Sequence, residues 1–373
     1  MEVTKIETLQ FNVPFKVVFR HASASRHQTQ NIIVRITCSD GHIAYGEGCP
    51  RDYVTNETVE TACIFIQKHT FGIIKNITSF ETLSRWVQDQ RKDIDENPAA
   101  FCALEIALLD AIGKCENKTL EQVLDLPELA ESFVYSAVLG DSPLPLFAWQ
   151  LFRYNRQKFR DYKIKLSGNL KRDQRKIMVL KAFLGASSRI RLDANNFWAS
   201  ADDCGNHIEQ LTCPVFAIEE PLRVGDLAGC AKISKISNAA IILDESFLRL
   251  EQLDTLPSSG QWLINLRISK MGGIIRSLEV ANAAADKGIG IIVGAQVGET
   301  SILTRAALTV ASNIKDNLIA SEGAFGTILL KHDLTSRCLM FGTAGVLDIG
   351  SHELEEKYGL GLQINPNLLS APK

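Results

Sequence analysis

The sequence of 373 residues lacks three features that would assign a protein class at once. No apolar run approaches the roughly 18 residues of a membrane span, so no membrane contact is expected. A formal net charge of −3 leaves no basic field for nucleic acid. The opening MEVTKIETLQFNVPF alternates like a strand, without the charged-then-apolar order of a signal peptide. Its composition, 46% hydrophobic and 22% charged, is that of a soluble globular protein.

Paired cysteine motifs are also missing. The nine cysteines are odd in number, and none forms a C-x-x-C pair. They lie in apolar or helical surroundings such as AAFCALEIALL, which predicts that most are buried, reduced thiols. A cytoplasmic enzyme is therefore the first expectation.

The first part of the chain predicts an α+β domain. MEVTKIETLQFNV and QNIIVRITCSDGHIAYGEG read as strands, the second as a pair that turns at Asp40-Gly41. Helical stretches follow, and the clearest begins at NPAAFCALEIALLDAIGK.

From about residue 133 the sequence becomes a repeat of short apolar strands and helical patterns. The strands are expected at 134–140, 161–167, 189–195, 215–221, 239–245, 262–268, 289–295 and 317–323. Eight strands at intervals of about 21 to 28 residues favour a closed β/α barrel. An open doubly wound sheet is the alternative, but no G-x-G-x-x-G follows the first strand.

Charged and amide residues close most of these strands. The active site of a barrel lies at the carboxyl ends of its strands, so these residues are the candidates for function. In chain order they are Lys163, Lys165, Asp193, Asn195, Glu219, Glu220, Asp244, Glu245, Arg267, Lys270 and Glu322. Any one of them alone is more simply read as the solvated start of a loop.

Taken together, the strand ends predict metal-assisted chemistry. Strands three, four and five each offer a carboxylate at the same level, and three converging carboxylates repel one another unless a cation intervenes. Oxygen ligands favour Mg²⁺. Two lysines on one face of the second strand lower each other's pKa, which leaves one of them able to act as a base. The prediction is abstraction of a proton α to a carboxylate, through an enolate.

The ordered motifs K-x-K, D-x-N, E-E-P and D-E-S on successive strands resemble the enolase superfamily, and most closely its muconate lactonizing enzyme subgroup, grouped with mandelate racemase. The resemblance extends over nearly the whole chain. It implies a modified (β/α)7β TIM-like barrel (131–341) with an N-terminal α+β capping domain (1–130), to which the C-terminal segment (342–373) returns.

The resemblance also implies roles for individual residues. Asp193, Glu219 and Asp244 match the ligands of one Mg²⁺ per subunit, for which Mn²⁺ is a substitute. Lys165 matches the catalytic base and Lys163 its carboxylate-contacting partner. Asn195 and Glu245 match residues that support the metal ligands, and members of the family assemble as homo-oligomers.

Three strands depart from related patterns. The seventh has no histidine, unlike mandelate racemase, and the eighth reads SEGAFG where dipeptide epimerases carry Asp-x-Asp. The sixth strand of the subgroup usually carries K-x-x-[KR]-x-G-G. Here INLRISKMGG has Arg267 at the first lysine of that pattern and Lys270 at its second cationic position. Arginine rarely gives up a proton, so a one-base cycloisomerase or dehydratase is expected. The alternatives are a racemase or epimerase of an amino-acid derivative or dipeptide that recruits Lys270, and a non-catalytic barrel that binds a carboxylate.

Several further residues are candidate contacts for a small carboxylate substrate. Two loops of the capping domain, FRHASASRH and GCPRDYVTNE, match loops that close over the substrate in the family. A mobile, solvated loop is an equally good reading of the first, and its positive charge would suit a second anionic group. The candidates are Arg20, His21, Arg26, Tyr53, Gln296, Glu299 and Glu322.

Overall fold

The structure, a computed structural model, describes residues 1–20, 25–185, 187–350 and 354–372. The N-terminal part is α+β. Its strands are β1 (Val3–Phe11), β2 (Pro14–Arg20), β3 (Ser25–Gln28), β4 (Asn31–Cys38) and β5 (Ile43–Gly48). Its helices are α1 (Asp52–Thr55), α2 (Val59–Asn76), α3 (Phe80–Asp89), α4 (Arg91–Glu96), α5 (Pro98–Glu116) and α6 (Leu120–Val123).

The core of this part lies between an antiparallel sheet and helix α5. Strands β1, β4 and β5 form the sheet in the order β1-β4-β5, while β2 and β3 form a separate hairpin. Helix α5 is buried over nearly its whole length because the sheet covers one side and neighbouring helices cover the other. Gly46 and Gly48 of β5 allow the helix backbone to approach the sheet closely.

The second part alternates strands and helices. The strands are β6 (Ser132–Val134), β7 (Ala137–Leu139), β8 (Asp161–Lys165), β9 (Arg189–Asp193), β10 (Ala217–Glu219), β11 (Ala240–Leu243), β12 (Trp262–Arg267), β13 (Gly290–Gly294), β14 (Leu318–Ser321) and β15 (Val346–Asp348). The helices are α7 (Leu144–Arg156), α8 (Leu170–Phe183), α9 (Ala201–Leu211), α10 (Leu227–Ser237), α11 (Ile268–Met271), α12 (Ile274–Asp286) and α13 (Ser301–Asn313). Short 3₁₀ helices cover Leu250–Thr255, Gly326–Ile328, Thr343–Gly345 and Pro366–Leu368.

Strands β7 to β14 form one parallel sheet in chain order, which curls into a TIM-like barrel. The ring closes between the first and last strands, where the Ser136 amide donates to the Ser321 carbonyl at 2.9 Å. The α/β fold class and the barrel inferred from the repeat are confirmed, and the open doubly wound sheet is excluded. Each of the eight expected strands is present, most of them shorter than the apolar run that predicted it.

The C-terminal segment runs back over the N-terminal part. The Gln10 amide donates to the Ser370 carbonyl at 2.8 Å, and the Leu360 amide donates to the Asp110 carboxylate at 2.9 Å. Strand β15 pairs with β6 beside the first barrel strand. The division into 1–130, 131–341 and 342–373 stays a prediction.

Two observations concern the apolar segments and the cysteines. In the described part of the chain, no helix has both the length and the apolar character needed to cross a membrane. All nine cysteines are free thiols, and Cys38, Cys49, Cys102, Cys204 and Cys230 are buried.

The contact between β5 and α5 predicts a large effect of a single methyl group. A Cβ on Gly46 would lie 2.1 Å from the Ala103 carbonyl oxygen, so Gly46→Ala must displace the helix backbone. We expect a loss of about 1–3 kcal/mol or more in the free energy of unfolding, as overpacking causes elsewhere, measured by urea denaturation.

The matched control is Gly72→Ala within α2, where an added Cβ meets nothing within 4 Å. That change should stabilise the protein by roughly 0.5–1 kcal/mol, because alanine is the better helix former. Equal effects of the two substitutions would contradict the close approach of β5 and α5.

Candidate active site

A cavity of about 630 Å³ opens at the carboxyl ends of the barrel strands. It brings together most of the residues that the sequence singled out. Those lining it are Tyr53, Lys163, Lys165, Asp193, Asn195, Glu219, Asp244, Glu245, Arg267, Gln296, Glu299 and Glu322.

Three carboxylates lie at the base of this cavity because adjacent parallel strands end at the same level. Asp193 closes β9 and pairs in register with Glu219, which closes β10. Asp244 follows β11 directly. All three residues are at most 4% exposed. Burial of several like charges at one point requires compensating positive charge.

Lys163 provides part of that compensation. Its Nζ lies 2.7 Å from both carboxylate oxygens of Glu219, 3.1 Å from Glu322 and 3.4 Å from Asp193. Although burial favours the neutral amine, these three carboxylates raise the pKa of Lys163 above its ordinary value. The expectation that the two lysines lower each other's pKa is therefore wrong for Lys163, because carboxylates surround it more closely than any cation does.

Lys165, two residues further along β8, lies nearer the opening. Its Nζ donates to Asn195 Oδ1 at 3.0 Å and is 3.6 Å from Asp193. The side chain is 17% exposed, against 6% for Lys163. Asn195 also donates to Asp193, so its amide connects the lysine to the carboxylate. Its role as a support for a metal ligand stays a prediction.

Arg267 and Lys270 contact the same carboxylate from different sides. The Arg267 guanidinium pairs with Asp244 and donates to Gln296 Oε1 at 3.0 Å. Lys270 is fully buried and donates to Asp244 Oδ1 at 3.0 Å and to the Asp244 and Asn265 carbonyls. Burial is the main cause that lowers the pKa of Lys270, and the positive charge of Arg267 lowers it further.

The candidate catalytic role of Lys270 needs correction. Because the chain leaves strand β12 at Arg267 and enters helix α11, Lys270 lies on a helical turn behind Asp244. Arg267 is among the residues that line the cavity and Lys270 is not. Lys270 donates to Asp244 from behind, and Arg267 is the one of the two cations that lines the cavity.

The chemistry of the three carboxylates fits a hard divalent cation. Their oxygens are the donors that Mg²⁺ prefers, and Glu219 Oε2, although 2.7 Å from Lys163 Nζ, is buried without a well-directed hydrogen bond. The three carboxylates do not converge on a single point. Among the described residues, the one set of three His, Cys, Asp or Glu ligand atoms within 4.8 Å of one another belongs to Cys38, Asp40 and Cys115, in the capping domain. Lys163 pairs with Glu219 and Arg267 pairs with Asp244, and these ion pairs keep the carboxylates apart. A bound metal would draw them together.

Two further glutamates follow the metal-ligand candidates directly. Glu220 accepts from the Asp244 amide at 2.6 Å and from the Ser246 amide at 2.8 Å, so it fixes the turn after β11. Glu245 lines the cavity, and burial together with Glu220, Asp193 and Glu219 raises its pKa to about 7. A cation bound among these groups would relieve the repulsion.

Glu322 belongs to an ion-pair network more than to the open cavity. Arg191, fully buried in β9, donates to Glu322 Oε1 at 2.7 Å and to Ser136 Oγ at 2.9 Å and contacts Asp161. Although burial raises it, Lys163 and Arg191 hold the pKa of Glu322 well below its usual range. As a substrate contact Glu322 stays a prediction, but both of its oxygens already have cationic partners.

The loop after β13 carries Gln296 and Glu299 into the cavity. The capping part fixes this loop: Asn31 donates to the Gly298 carbonyl at 2.7 Å, and Arg51 donates to the Val297 carbonyl at 2.9 Å. Glu299 Oε1 accepts from the Gln296 amide at 2.6 Å. Burial raises the pKa of Glu299 to about 8.

The expected capping loops are placed only in part. Tyr53 in α1 lines the cavity. Arg20 ends β2 and Arg26 lies in β3, and the structure does not describe their side chains. His21 lies outside the described residues.

Sequence reasoning missed two groups of residues. The first lines the cavity from the segments after β7 and β14: Val138, Ser142, Pro143, Leu146, Gln150, Phe325, Leu329 and Leu330. Nothing in its pattern distinguishes it from ordinary loop or helix residues. The second is Arg191, whose charge between Ile190 and Leu192 in the strand RIRLD was a readable signal of a buried ion pair.

Two protein domain families match the chain. "Enolase C-terminal domain-like" matches residues 148–368, and "Mandelate racemase / muconate lactonizing enzyme, N-terminal domain" matches residues 3–125. Among curated proteins, the chain is similar to the N-succinyl-L-Arg/Lys racemase of Bacillus cereus, 26% identical over 99% of this chain and 97% of that protein. It is also similar to the L-Ala-D/L-Glu epimerase of Bacillus subtilis, 26% identical over 84% of this chain and 86% of that protein.

Solved structures share the fold. The muconate lactonizing enzyme from Pseudomonas fluorescens, complexed with muconolactone, aligns with a TM-score of 0.85 at 23% identity over 98% of each chain. The dipeptide epimerase from Enterococcus faecalis, complexed with Mg and the dipeptide L-Leu-L-Tyr, aligns with a TM-score of 0.84 at 23% identity over 97% of this chain and all of that one.

The contact between Arg267 and Asp244 predicts how Mg²⁺ binds. Because the guanidinium competes with a cation for Asp244, Arg267→Gln should tighten Mg²⁺ binding by about tenfold, equivalent to about 1.4 kcal/mol. Asp244→Asn should weaken it by at least the same factor. Isothermal titration calorimetry measures both.

The control is Arg249→Gln at an exposed position, which should leave the affinity unchanged. Weaker Mg²⁺ binding by Arg267→Gln would show that the guanidinium does not compete for the metal position.

Proposed function

We propose a reaction for this chain from one premise: it belongs to the mandelate racemase and muconate lactonizing enzyme family of the enolase superfamily. The proposed reaction is racemisation or epimerisation at the α-carbon of an N-acylated amino acid or a dipeptide. The observation that carries it is Lys165, a lysine at the opening of a cavity whose base holds three buried carboxylates.

In this proposal each residue has one task. Asp193, Glu219 and Asp244 would hold Mg²⁺, which when bound stabilises negative charge on the substrate carboxylate as the α-proton leaves. Lys165 takes that proton, and Asn195 orients its amine. Lys163, kept protonated by its carboxylate partners, contributes a fixed positive charge beside the substrate carboxylate.

The substrate class is supported by the relatives and by the eighth strand. The two curated relatives are named for N-succinyl amino acids and a dipeptide. A free ammonium group needs an available carboxylate, and Glu322 on the eighth strand already pairs with Lys163 and Arg191. An acylated amine carries no charge, which favours N-acylated amino acids within this class.

The relatives favour this outcome over the one-base cycloisomerisation or dehydration expected from the sequence. The curated relatives are a racemase and an epimerase, whereas the similarity to muconate lactonizing enzyme lies in the fold. One-base chemistry remains the second candidate because Arg267 lines the cavity at the position for which the resemblance implies a lysine. Homo-oligomerisation and a cytoplasmic location stay predictions.

Removal of the Lys165 amine tests the proton abstraction. In D₂O with Mg²⁺, the protein should exchange the α-proton of N-succinyl-L-lysine or N-succinyl-L-arginine for deuterium, as observed by proton NMR. Lys165→Ala should lower that exchange by about 10²–10⁴-fold, the usual contribution of a positioned base. Lys171→Ala, an exposed lysine on α8, is the control and should exchange at the unchanged rate.

The stereochemical result separates the two candidates. Deuterium in both enantiomers supports racemisation, whereas exchange with full retention supports a one-base reaction. If no exchange occurs with N-succinyl amino acids, N-acetyl amino acids or dipeptides, the proposal is wrong.

A further inference from the structure

Racemisation requires a proton to leave one face of the α-carbon and another to arrive on the opposite face. Lys165 serves one face, and the cation across the cavity is Arg267, which does not exchange protons near neutral pH. We propose that the carboxyl group of Glu299, on the loop after the seventh barrel strand, is the second acid–base group of this reaction. The inference rests on the proposed function and deepens it.

The barrel order places Glu299 across the cavity from Lys165. Lys165 ends β8, the second strand of the barrel, and Glu299 follows β13, the seventh. In a closed ring of eight strands the seventh lies three positions from the second, on the side of Arg267 rather than of Lys165. Both Lys165 and Glu299 line the one cavity that also holds the carboxylate cluster.

The loop that carries Glu299 is fixed from both sides. The capping part holds it through Asn31 and Arg51, which donate to the carbonyls of Gly298 and Val297. Buried Glu47 accepts from the Thr300 amide at 3.0 Å and from the Thr300 hydroxyl at 2.6 Å. A group that must deliver a proton to one atom needs such a preorganised position.

The surroundings of Glu299 suit a carboxylic acid that carries its proton at neutral pH. The side chain is only partly exposed, and this burial together with the negative charge of Glu47 raises its pKa, whereas the hydrogen bond from the Gln296 amide and the charges of Arg267 and Arg51 partly oppose these effects. The Tyr135 hydroxyl and the Cys102 thiol also face it and are neutral at this pH, since burial raises both of their pKa values. The pKa of about 8 lets the group both donate and accept a proton near neutrality.

The proton balance closes without another reactant. Lys165 takes the α-proton as the C–H bond breaks, and the electron pair moves into the substrate carboxylate as an enolate. The O–H bond of Glu299 then breaks, and its proton forms the new C–H bond on the other face. Lys165 ends as an ammonium and Glu299 as a carboxylate, and exchange with water restores both. The reverse reaction exchanges their roles.

Stereospecific exchange tests this assignment. The L and D forms of N-succinyl-lysine are incubated separately in D₂O with Mg²⁺ and followed by NMR and circular dichroism. Glu299→Gln should lose racemisation by about 10²–10⁴-fold but still exchange the α-proton of the enantiomer that faces Lys165. Lys165→Ala should show the opposite selectivity. Glu251→Gln, at an exposed position, is the matched control and should behave as the unmodified protein does.

The outcomes separate this inference from the function it rests on. Racemisation by Glu299→Gln at the unmodified rate overturns the role of Glu299 and leaves the proposed function standing. Exchange of a single enantiomer by the unmodified protein also overturns it and identifies a one-base enzyme. No exchange of either form of this probe overturns the inference, and the proposed function as well if the other acyl amino acids and dipeptides also fail to exchange.

If Glu299→Gln folds poorly, an infrared measurement on the unmodified protein still tests the role of Glu299. The unmodified protein at pH 7 should show a protonated-carboxyl band that is absent from Glu299→Gln. The band should disappear as the pH rises through about 8, and the rate of proton delivery from Glu299 should fall over the same range. A Glu299 carboxylate that is already ionised at pH 6 overturns the proposal.

Discussion

The compensation of buried negative charge at one end of the barrel is the constraint on which the rest of the site depends. Parallel strands that end at the same level bring Asp193, Glu219 and Asp244 together, and so much like charge is stable only with cations among it. Lys163 and Arg267 supply that charge in this structure. The same pairing keeps the carboxylates apart, so these side chains must rearrange when a divalent cation enters.

Strand positions and strand ends could be predicted from the sequence because both follow from short-range rules. Alternating apolar residues at regular intervals indicate a barrel, and polar residues at strand ends indicate its mouth. The partners of those residues could not be predicted. Arg191 and Glu322 are separated by 131 positions in the chain, and no local pattern joins them. The direction of the Lys270 side chain could not be predicted, because the strand ends at Arg267 and a helical turn follows. In that turn the alternation of a strand no longer determines which side chains face the cavity.

The capping part does more than close the cavity. Asn31 and Arg51 donate to the loop after the seventh strand, and Glu47 accepts from it, so residues of the N-terminal part help to fix where Gln296 and Glu299 lie. A mutation in that sheet can therefore alter the chemistry while every residue of the barrel is unchanged. Loop exchanges between relatives have to preserve these contacts as well as the residues that touch the substrate.

Barrel closure has one further consequence. Ser136 donates its amide across the junction of the first and last strands, and its hydroxyl accepts from Arg191, whose other partner is Glu322 beside the junction. Glu322 in turn binds Lys163 within the site. Closure of the ring therefore brings Arg191 to its partners and gives Lys163 one of its carboxylates. The junction that closes the barrel and the charge balance of the site share the same side chains.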